Sequence, residues 1–172
     1  NCRAQTPRKD SVATRGTSGM ALTDYAKARR LIARRDPVMR DLMRLHGPCR
    51  LAERQHTDPF RALIRAIVGQ QLSTAAAATI FGRFESLFPA FPAPADVRGM
   101  PDERLRGVGL SGQKVRYLRD LCRCIEEGAL RIDTLGRMDD EAVVTALTQV
   151  KGVGRWTAER FLIFRRQRPN VV

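Results

Sequence analysis

Apolar side chains recur every three or four residues along most of the chain from about Leu22 onward. This spacing places them on one face of an α-helix, and no segment shows the alternation of a half-buried strand. The clearest stripe lies between two breaks and consists of Phe60, Leu63, Ile64, Ile67 and Val68, with Gly69 after it. The pattern predicts an all-α fold in which this segment is a core helix.

Capping residues predict where the helices begin and end. Asp36-Pro37 and Asp58-Pro59 each combine an N-cap carboxylate with proline in the first helical turn, and Gly47 closes the first of these helices. Ser73 can cap a helix that opens with an alanine run. Further helices are predicted near 102–105, 112–127 and 140–147, and a last one from about Arg155 to Arg166.

Two segments interrupt this pattern. Pro89, Pro92 and Pro94 cannot continue a helix, and they mark the best candidate for a crossing between two helical lobes. Residues 1–21 are rich in Ser, Thr, Arg, Gly and Pro, so we expect a disordered basic tail before a helical domain over 22–172. The missing initial Met suggests an incomplete start.

Residues 107–112 match the spacing G-x-G-x-x-G, which is typical of dinucleotide-binding folds when it follows a buried strand. Here a polar helical turn precedes the glycines. A tight helix-to-helix turn is therefore favoured over a nucleotide site.

The charge balance indicates a polyanionic partner. The chain has 31 Lys and Arg against 18 Asp and Glu, a net charge of +13, and most of the cations are arginine. Arginine suits phosphate recognition, although a GC-rich genome would also make arginine common on any solvent-exposed surface. No stretch is apolar enough for a membrane span or a secretion signal, so we do not expect a transmembrane or secreted protein.

The cysteines are interpreted as reduced thiols. They are Cys2, Cys49, Cys122 and Cys124, and no secretion signal or metal-ligand spacing accompanies them. Because Cys122 and Cys124 would point to different sides of a helix, a shared metal is disfavoured. We expect no iron-sulfur cluster.

The segment from Leu147 to Ala158 predicts an anion site. One helix ends, Gly152-Val153-Gly154 makes a tight hairpin, and the next helix begins with its amide N–H groups unpaired. Glycines let the backbone approach a phosphate closely, and Lys151 and Arg155 flank them. A purely structural turn between two helices is the alternative.

This segment, 142–166, resembles the helix-hairpin-helix of base-excision DNA glycosylases. The run from Arg155 to Glu159, RWTAE, is similar to the alkylation-repair branch typified by 3-methyladenine DNA glycosylase II. A second segment, Asp58 to Ser73, resembles that branch's core helix and the loop after it. The resemblance extends from about Asp36 to the C-terminus, and it implies a two-lobe, all-α glycosylase that binds double-stranded DNA with alkylated bases as a monomer. It also implies a bacterial cytoplasmic protein that associates with the nucleoid while it acts.

The resemblance also implies roles for individual residues. The backbone of Gly152 and Gly154, together with Thr157, would bind a DNA phosphate. A wedge that fills the gap left by an extruded base would consist of Gln70, Gln71 and Leu72, with Gln71 at its tip. The carbonyls of Thr148, Val150 and Gly152 would coordinate a monovalent cation. Trp156, in the place of the lysine of bifunctional relatives, would stack on a flipped cationic purine. The alternatives are a polar loop for Gln70–Leu72 and a core position for Trp156.

The same resemblance implies monofunctional hydrolysis of the N-glycosidic bond after base flipping. The family's catalytic aspartate is expected beyond Val172, so no catalytic residue is assigned, and Glu159 is expected to pair with Arg155 instead. The hypotheses are therefore a fragment of a longer glycosylase or a non-catalytic DNA-binding remnant. A generic helical interaction domain is a third.

Overall fold

The computed structural model describes residues 22–48 and 58–163, and within these ranges every regular element is helical. The helices are α1 (Leu22–Arg35), α2 (Pro37–His46), α3 (Pro59–Val68), α4 (Thr74–Glu85), α5 (Pro94–Gly99), α6 (Asp102–Gly107), α7 (Gly112–Glu126), α8 (Asp140–Thr148) and α9 (Arg155–Phe161), with a 3₁₀ turn at Leu135–Arg137. The all-α prediction is confirmed. The predicted tail, Cys2, Cys49 and the predicted helical residues after 163 lie outside the described residues.

The predicted N-caps act as expected. A carboxylate oxygen of Asp36 accepts the amide N–H of Met39 at 3.0 Å, and one of Asp58 accepts that of Phe60 at 2.9 Å. The hydroxyl of Ser73 accepts the N–H of Ala76 at 3.3 Å. These bonds satisfy amide donors that the first turn of a helix leaves without partners.

The proline segment contains a helix that sequence reasoning missed. Pro94 occupies the first turn of α5, where its fixed φ and missing N–H are tolerated. The Asp96 carboxylate accepts the amide N–H of Ala93 at 2.9 Å. Helix α4 ends at Glu85, before the first of these prolines, and Pro94 starts a helix rather than only breaking one.

The core forms around α3 and α7. All five residues of the predicted α3 stripe are buried, and α3 packs against α4, α7 and α9. Helix α7 also packs against α5 and α6, and it buries Val115, Leu118 and Leu121. This central position allows α7 to contact both segments predicted to bind DNA.

The predicted turn at 107–112 is confirmed, since α6 ends at Gly107 and α7 begins at Gly112. Gly109 has φ +105, and a Cβ there would lie 3.2 Å from Cγ1 of Ile80. Glycine is thus required for the conformation and for the close approach of α4.

Helices α1 and α2 pack against each other, and α2 has no buried residue. The large apolar side chains that these two helices expose are Leu31, Ile32, Val38, Met39, Leu42 and Leu45. Within the described ranges, no helix combines the length and the apolar character needed to cross a membrane.

The two described cysteines, Cys122 and Cys124, are free and buried in α7, as predicted for reduced thiols. Burial raises the pKa of Cys122 to about 12 and also raises that of Cys124, so both are protonated at neutral pH. Across 22–48 and 58–163, no cluster of three or more His, Cys, Asp or Glu side chains is arranged to hold a metal ion.

Candidate nucleic-acid interface

The hairpin is a short turn, residues 149–154, between α8 and α9. Leu147, Val150 and Val153 are buried and anchor it to the core. Gly152 has φ +81, a left-handed conformation that glycine adopts at little cost. Within the described part of the chain, the amide N–H groups of Gly152 and Gly154 have no protein acceptor. The hairpin therefore offers two backbone donors to a ligand.

The two glycines have different surroundings. A Cβ on Gly152 would lie 2.1 Å from Cδ2 of Tyr117, whose ring covers this side of the turn. A Cβ on Gly154 would meet no atom within 4 Å. Gly152 thus lets the hairpin pack on α7, whereas Gly154 leaves the hairpin surface open.

Asp120 of α7 holds the hairpin through a hydrogen bond to its backbone. Asp120 is 7% exposed, and its carboxylate accepts the amide N–H of Lys151 at 2.8 Å and a guanidinium N–H of Arg123 at 2.8 Å. Burial alone would raise the pKa of Asp120, but the bonds from Lys151 and Arg123 outweigh it and lower this pKa. Sequence reasoning missed Asp120. The sequence does contain a signal for it, because a carboxylate next to Leu121 on the buried face of α7 needs hydrogen-bond partners.

The loop between α3 and α4, Gly69–Ser73, carries the predicted wedge and is called the wedge loop below. Gln71 is exposed with φ +57, an uncommon conformation for a residue with a side chain, and Leu72 is 37% exposed. The side chain of Gln70 turns inward instead. Its Nε2 donates to the carbonyl of Gly152 at 2.8 Å and to the hydroxyl of Thr157 at 3.4 Å. The wedge loop and the hairpin are thus directly joined.

Lys114 holds the wedge loop from its other side. Its Nζ donates to the carbonyls of Val68 at 2.7 Å and Gln70 at 2.8 Å. Burial lowers the pKa of Lys114 below its ordinary value. Sequence reasoning missed this residue too, because its partners lie more than forty positions earlier.

The charged residues at the hairpin differ in what they contact. Arg155 forms a two-pronged ion pair with Glu141 at 2.8 and 3.0 Å, and it also contacts Glu159 at 2.8 Å. The expected pairing with Glu159 is present, and the pairing with Glu141 is additional. These hydrogen bonds from Arg155 lower the pKa of Glu141. The side chain of Lys151 is exposed.

Trp156 is 63% exposed, so it is not a core residue. The Arg160 guanidinium lies 4.8 Å from the centroid of the indole ring. A ring face that already holds a cation suits the predicted stacking on a cationic base.

Two of the three carbonyls predicted to bind a cation already accept hydrogen bonds. The Val150 carbonyl accepts the N–H of Val153 at 3.0 Å, and the Gly152 carbonyl accepts Nε2 of Gln70. A carbonyl oxygen has two lone pairs, so these hydrogen bonds leave both oxygens able to accept a second partner, and a cation would share the Gly152 carbonyl with Gln70.

Comparisons with known proteins agree with this geometry. Residues 64–168 match the model of the HhH-GPD superfamily base excision DNA repair proteins. DNA-3-methyladenine glycosylase 1 of Schizosaccharomyces pombe is 34% identical over 88% of this chain and 68% of its own length. DNA-3-methyladenine glycosylase 2 of Escherichia coli is 31% identical over 62% of this chain, which spans 40% of that protein.

A solved structure supports the same assignment. The S. pombe 3-methyladenine DNA glycosylase in complex with abasic DNA superposes with a TM-score of 0.74 at 34% identity, over 85% of this chain and 73% of that one. The predictions of the family, of its all-helical fold and of a base-excision repair enzyme class are confirmed. The chain belongs to the HhH-GPD superfamily of base excision DNA repair proteins.

Proposed function

We propose that this protein binds double-stranded DNA containing alkylated bases and removes purines of the 3-methyladenine type. The observation that carries the proposal is the contact between the hairpin and the wedge loop through Gln70. This contact joins the hairpin, where the N–H groups of Gly152 and Gly154 have no protein acceptor among the described residues, to the wedge loop, whose exposed tip is Gln71 with its strained backbone. The names of the similar glycosylases supply the substrate class.

The hairpin would hold one phosphate of the DNA backbone. The N–H groups of Gly152 and Gly154 would donate to phosphate oxygens, and the exposed side chain of Lys151, the residue before Gly152, would add a positive charge. These contacts read no base, so they supply position and affinity rather than sequence preference. A monovalent cation at the carbonyls of Thr148, Val150 and Gly152 would add positive charge near that phosphate.

The wedge loop would occupy the gap left by a flipped nucleotide. Gln71 and Leu72 are the exposed side chains of this loop. A damaged base pairs poorly, so it is extruded at lower cost than a normal base, and selectivity begins at that step. Gln70 and the hydroxyl of Thr157 would keep the wedge in register with the bound phosphate.

The flipped purine would stack on Trp156. An alkylated purine is cationic, so it would compete with Arg160 for the ring face. Hydrolysis breaks the N-glycosidic bond: the base leaves with the bonding electrons, which neutralise its positive charge. The oxygen of water bonds to the sugar carbon, and the proton that this water loses passes to solvent. Positive charge builds on the sugar in this step, which calls for a carboxylate.

The carboxylates that contact hairpin residues are already engaged. Asp120 accepts the N–H of Lys151, and Glu141 and Glu159 pair with Arg155. We assign the catalytic role to none of them. A DNA-binding protein without glycosylase activity is therefore the second candidate function.

The decisive experiment measures release of free methylated purines from alkylated duplex DNA, with binding to the same duplex measured in parallel. Release with binding supports the full proposal. Binding without release supports the second candidate, and absence of binding at low salt contradicts both. Gly154→Asp, which places a negative charge where the phosphate would lie, is expected to abolish binding. Gly82→Asp, on an exposed face of α4 with open space around it, is the matched control and should leave binding unchanged.

We further propose that the protein acts as a monomer at the bacterial nucleoid. Sedimentation of the protein with a short lesion-containing duplex would test the stoichiometry, and a complex with two protein chains would contradict it.

A further inference from the structure

Three residues of α7 contact the two segments proposed to bind DNA. Lys114, Tyr117 and Asp120 are spaced by three, so they follow one another along one side of the helix. Lys114 bonds the wedge loop, the Tyr117 ring lies against Gly152, and Asp120 bonds the backbone of Lys151. One rigid helix therefore sets the distance between wedge loop and hairpin.

Lys114 differs from the basic residues that would contact phosphate. Two of its three ammonium donors are used by main-chain carbonyls, at 2.7 Å from Val68 and 2.8 Å from Gln70. A charged donor bound to two carbonyls makes stronger hydrogen bonds than a neutral one. Its charge is thus directed at the protein backbone rather than at DNA.

The position of these carbonyls explains what the ammonium controls. Val68 ends α3, and Gln70 is the residue whose side chain reaches Gly152 and Thr157. Gln71, with its left-handed backbone, follows directly. Fixing the Gln70 carbonyl therefore fixes both the bridge to the hairpin and the direction of the wedge tip.

We propose that Lys114 is a positioning residue for lesion recognition, which holds the wedge loop in the conformation that joins the hairpin and presents Gln71. The proposal rests on the proposed function. It assigns Lys114 to the discrimination of damaged from undamaged DNA and not to phosphate binding. Lys151, with its exposed ammonium, is the matched lysine for which phosphate binding is expected.

The test compares Lys114→Met with Lys151→Met. For each protein, affinity for a duplex with a stable abasic-site analogue and for the undamaged duplex is measured at several salt concentrations. Lys114→Met is expected to lower the ratio of the two affinities about tenfold, with an unchanged salt dependence. Lys151→Met is expected to weaken both affinities alike, and to reduce the slope of log affinity against log salt by about 0.9.

Gln70→Met provides a second route if Lys114→Met does not fold. It removes the bridge to Gly152 and Thr157 and leaves the main-chain carbonyl to Lys114. We expect the same loss of discrimination, again with an unchanged salt slope. Where both single variants fold, the losses of the double variant should be smaller than their sum, because both act through one loop conformation.

Two results would overturn the inference in distinguishable ways. A Lys114→Met protein that keeps its preference for abasic DNA, or whose salt slope falls as that of Lys151→Met is expected to fall, overturns the role of Lys114 alone. An unaltered protein without any preference for the abasic duplex overturns the proposed function and the inference with it.

Discussion

Gly152 and Gly154 are two positions apart, and the structure gives them separate tasks. At Gly152 the positive φ and the Tyr117 ring both exclude a side chain, so Gly152→Ala is expected to lower the free energy of unfolding by at least about 2 kcal/mol. At Gly154 the backbone is extended and the space is open, so Gly154→Ala should change it by less than about 0.5 kcal/mol. Urea unfolding of the two variants measures the difference. Equal losses would contradict the contact with Tyr117.

At the scale of an element, the wedge loop also separates a residue's effect on stability from its effect on DNA binding. Gln71 has a left-handed backbone that costs a residue with a side chain about 1 kcal/mol and costs glycine little. Gln71→Gly is therefore expected to leave the free energy of unfolding unchanged or to raise it slightly. It should also weaken binding to abasic duplex more than binding to undamaged duplex, because the wedge tip is gone.

Thermal unfolding and paired binding measurements on Gln71→Gly test both halves of this prediction. Ser86→Gly, at the end of α4 and exposed, is a suitable control for glycine substitution outside the loop. Equal weakening on both duplexes would show that Gln71 does not act as a wedge.

The elements themselves were largely predictable from sequence. Starts at Asp36, Asp58 and Ser73 depend on bonds to residues two or three positions later, so local sequence is sufficient. The sequence does not predict helix α5, because Pro89, Pro92 and Pro94 indicate only an interruption of the helical pattern. The α3 stripe was predicted because its spacing alone marks a buried face.

The connections between elements could not be predicted in the same way. Lys114 bonds residues 46 and 44 positions away, and Asp120 bonds one 31 positions away. Such partners depend on how α7 packs against α3 and the hairpin, and no periodicity encodes that. The family resemblance indicated the hairpin and the wedge loop, but not the helix that holds them together.

At the scale of the whole molecule, the Asp120 carboxylate that holds the hairpin also makes the free energy of unfolding depend on pH. Its folded-state pKa lies below the unfolded value of about 3.9, so its ionised form stabilises the fold fully above that pH. The contribution declines as the pH falls through the lower, folded-state pKa. Asp120→Asn should therefore be less stable than the unaltered protein at pH 7, by about 1.5–3 kcal/mol, and the gap should narrow below about pH 4.

Denaturant unfolding from pH 7 to pH 3 measures this gap. Asp133→Asn is the control, because that carboxylate is exposed and lies 3.7 Å from Arg131. It should change the free energy of unfolding little at any pH. A gap at Asp120 that stays constant with pH would contradict the role of its charge.

Trp156 also provides a fluorescence signal at the proposed site. The chain contains one tryptophan, and its exposed indole lies two residues after Gly154 with Arg160 over its face. Indole emission from this protein therefore comes from a single point at the proposed site. A base that stacks on the ring, or displaces Arg160, changes the surroundings of the only indole fluorophore present. The protein carries its own spectroscopic label, and binding can be followed without attaching a dye.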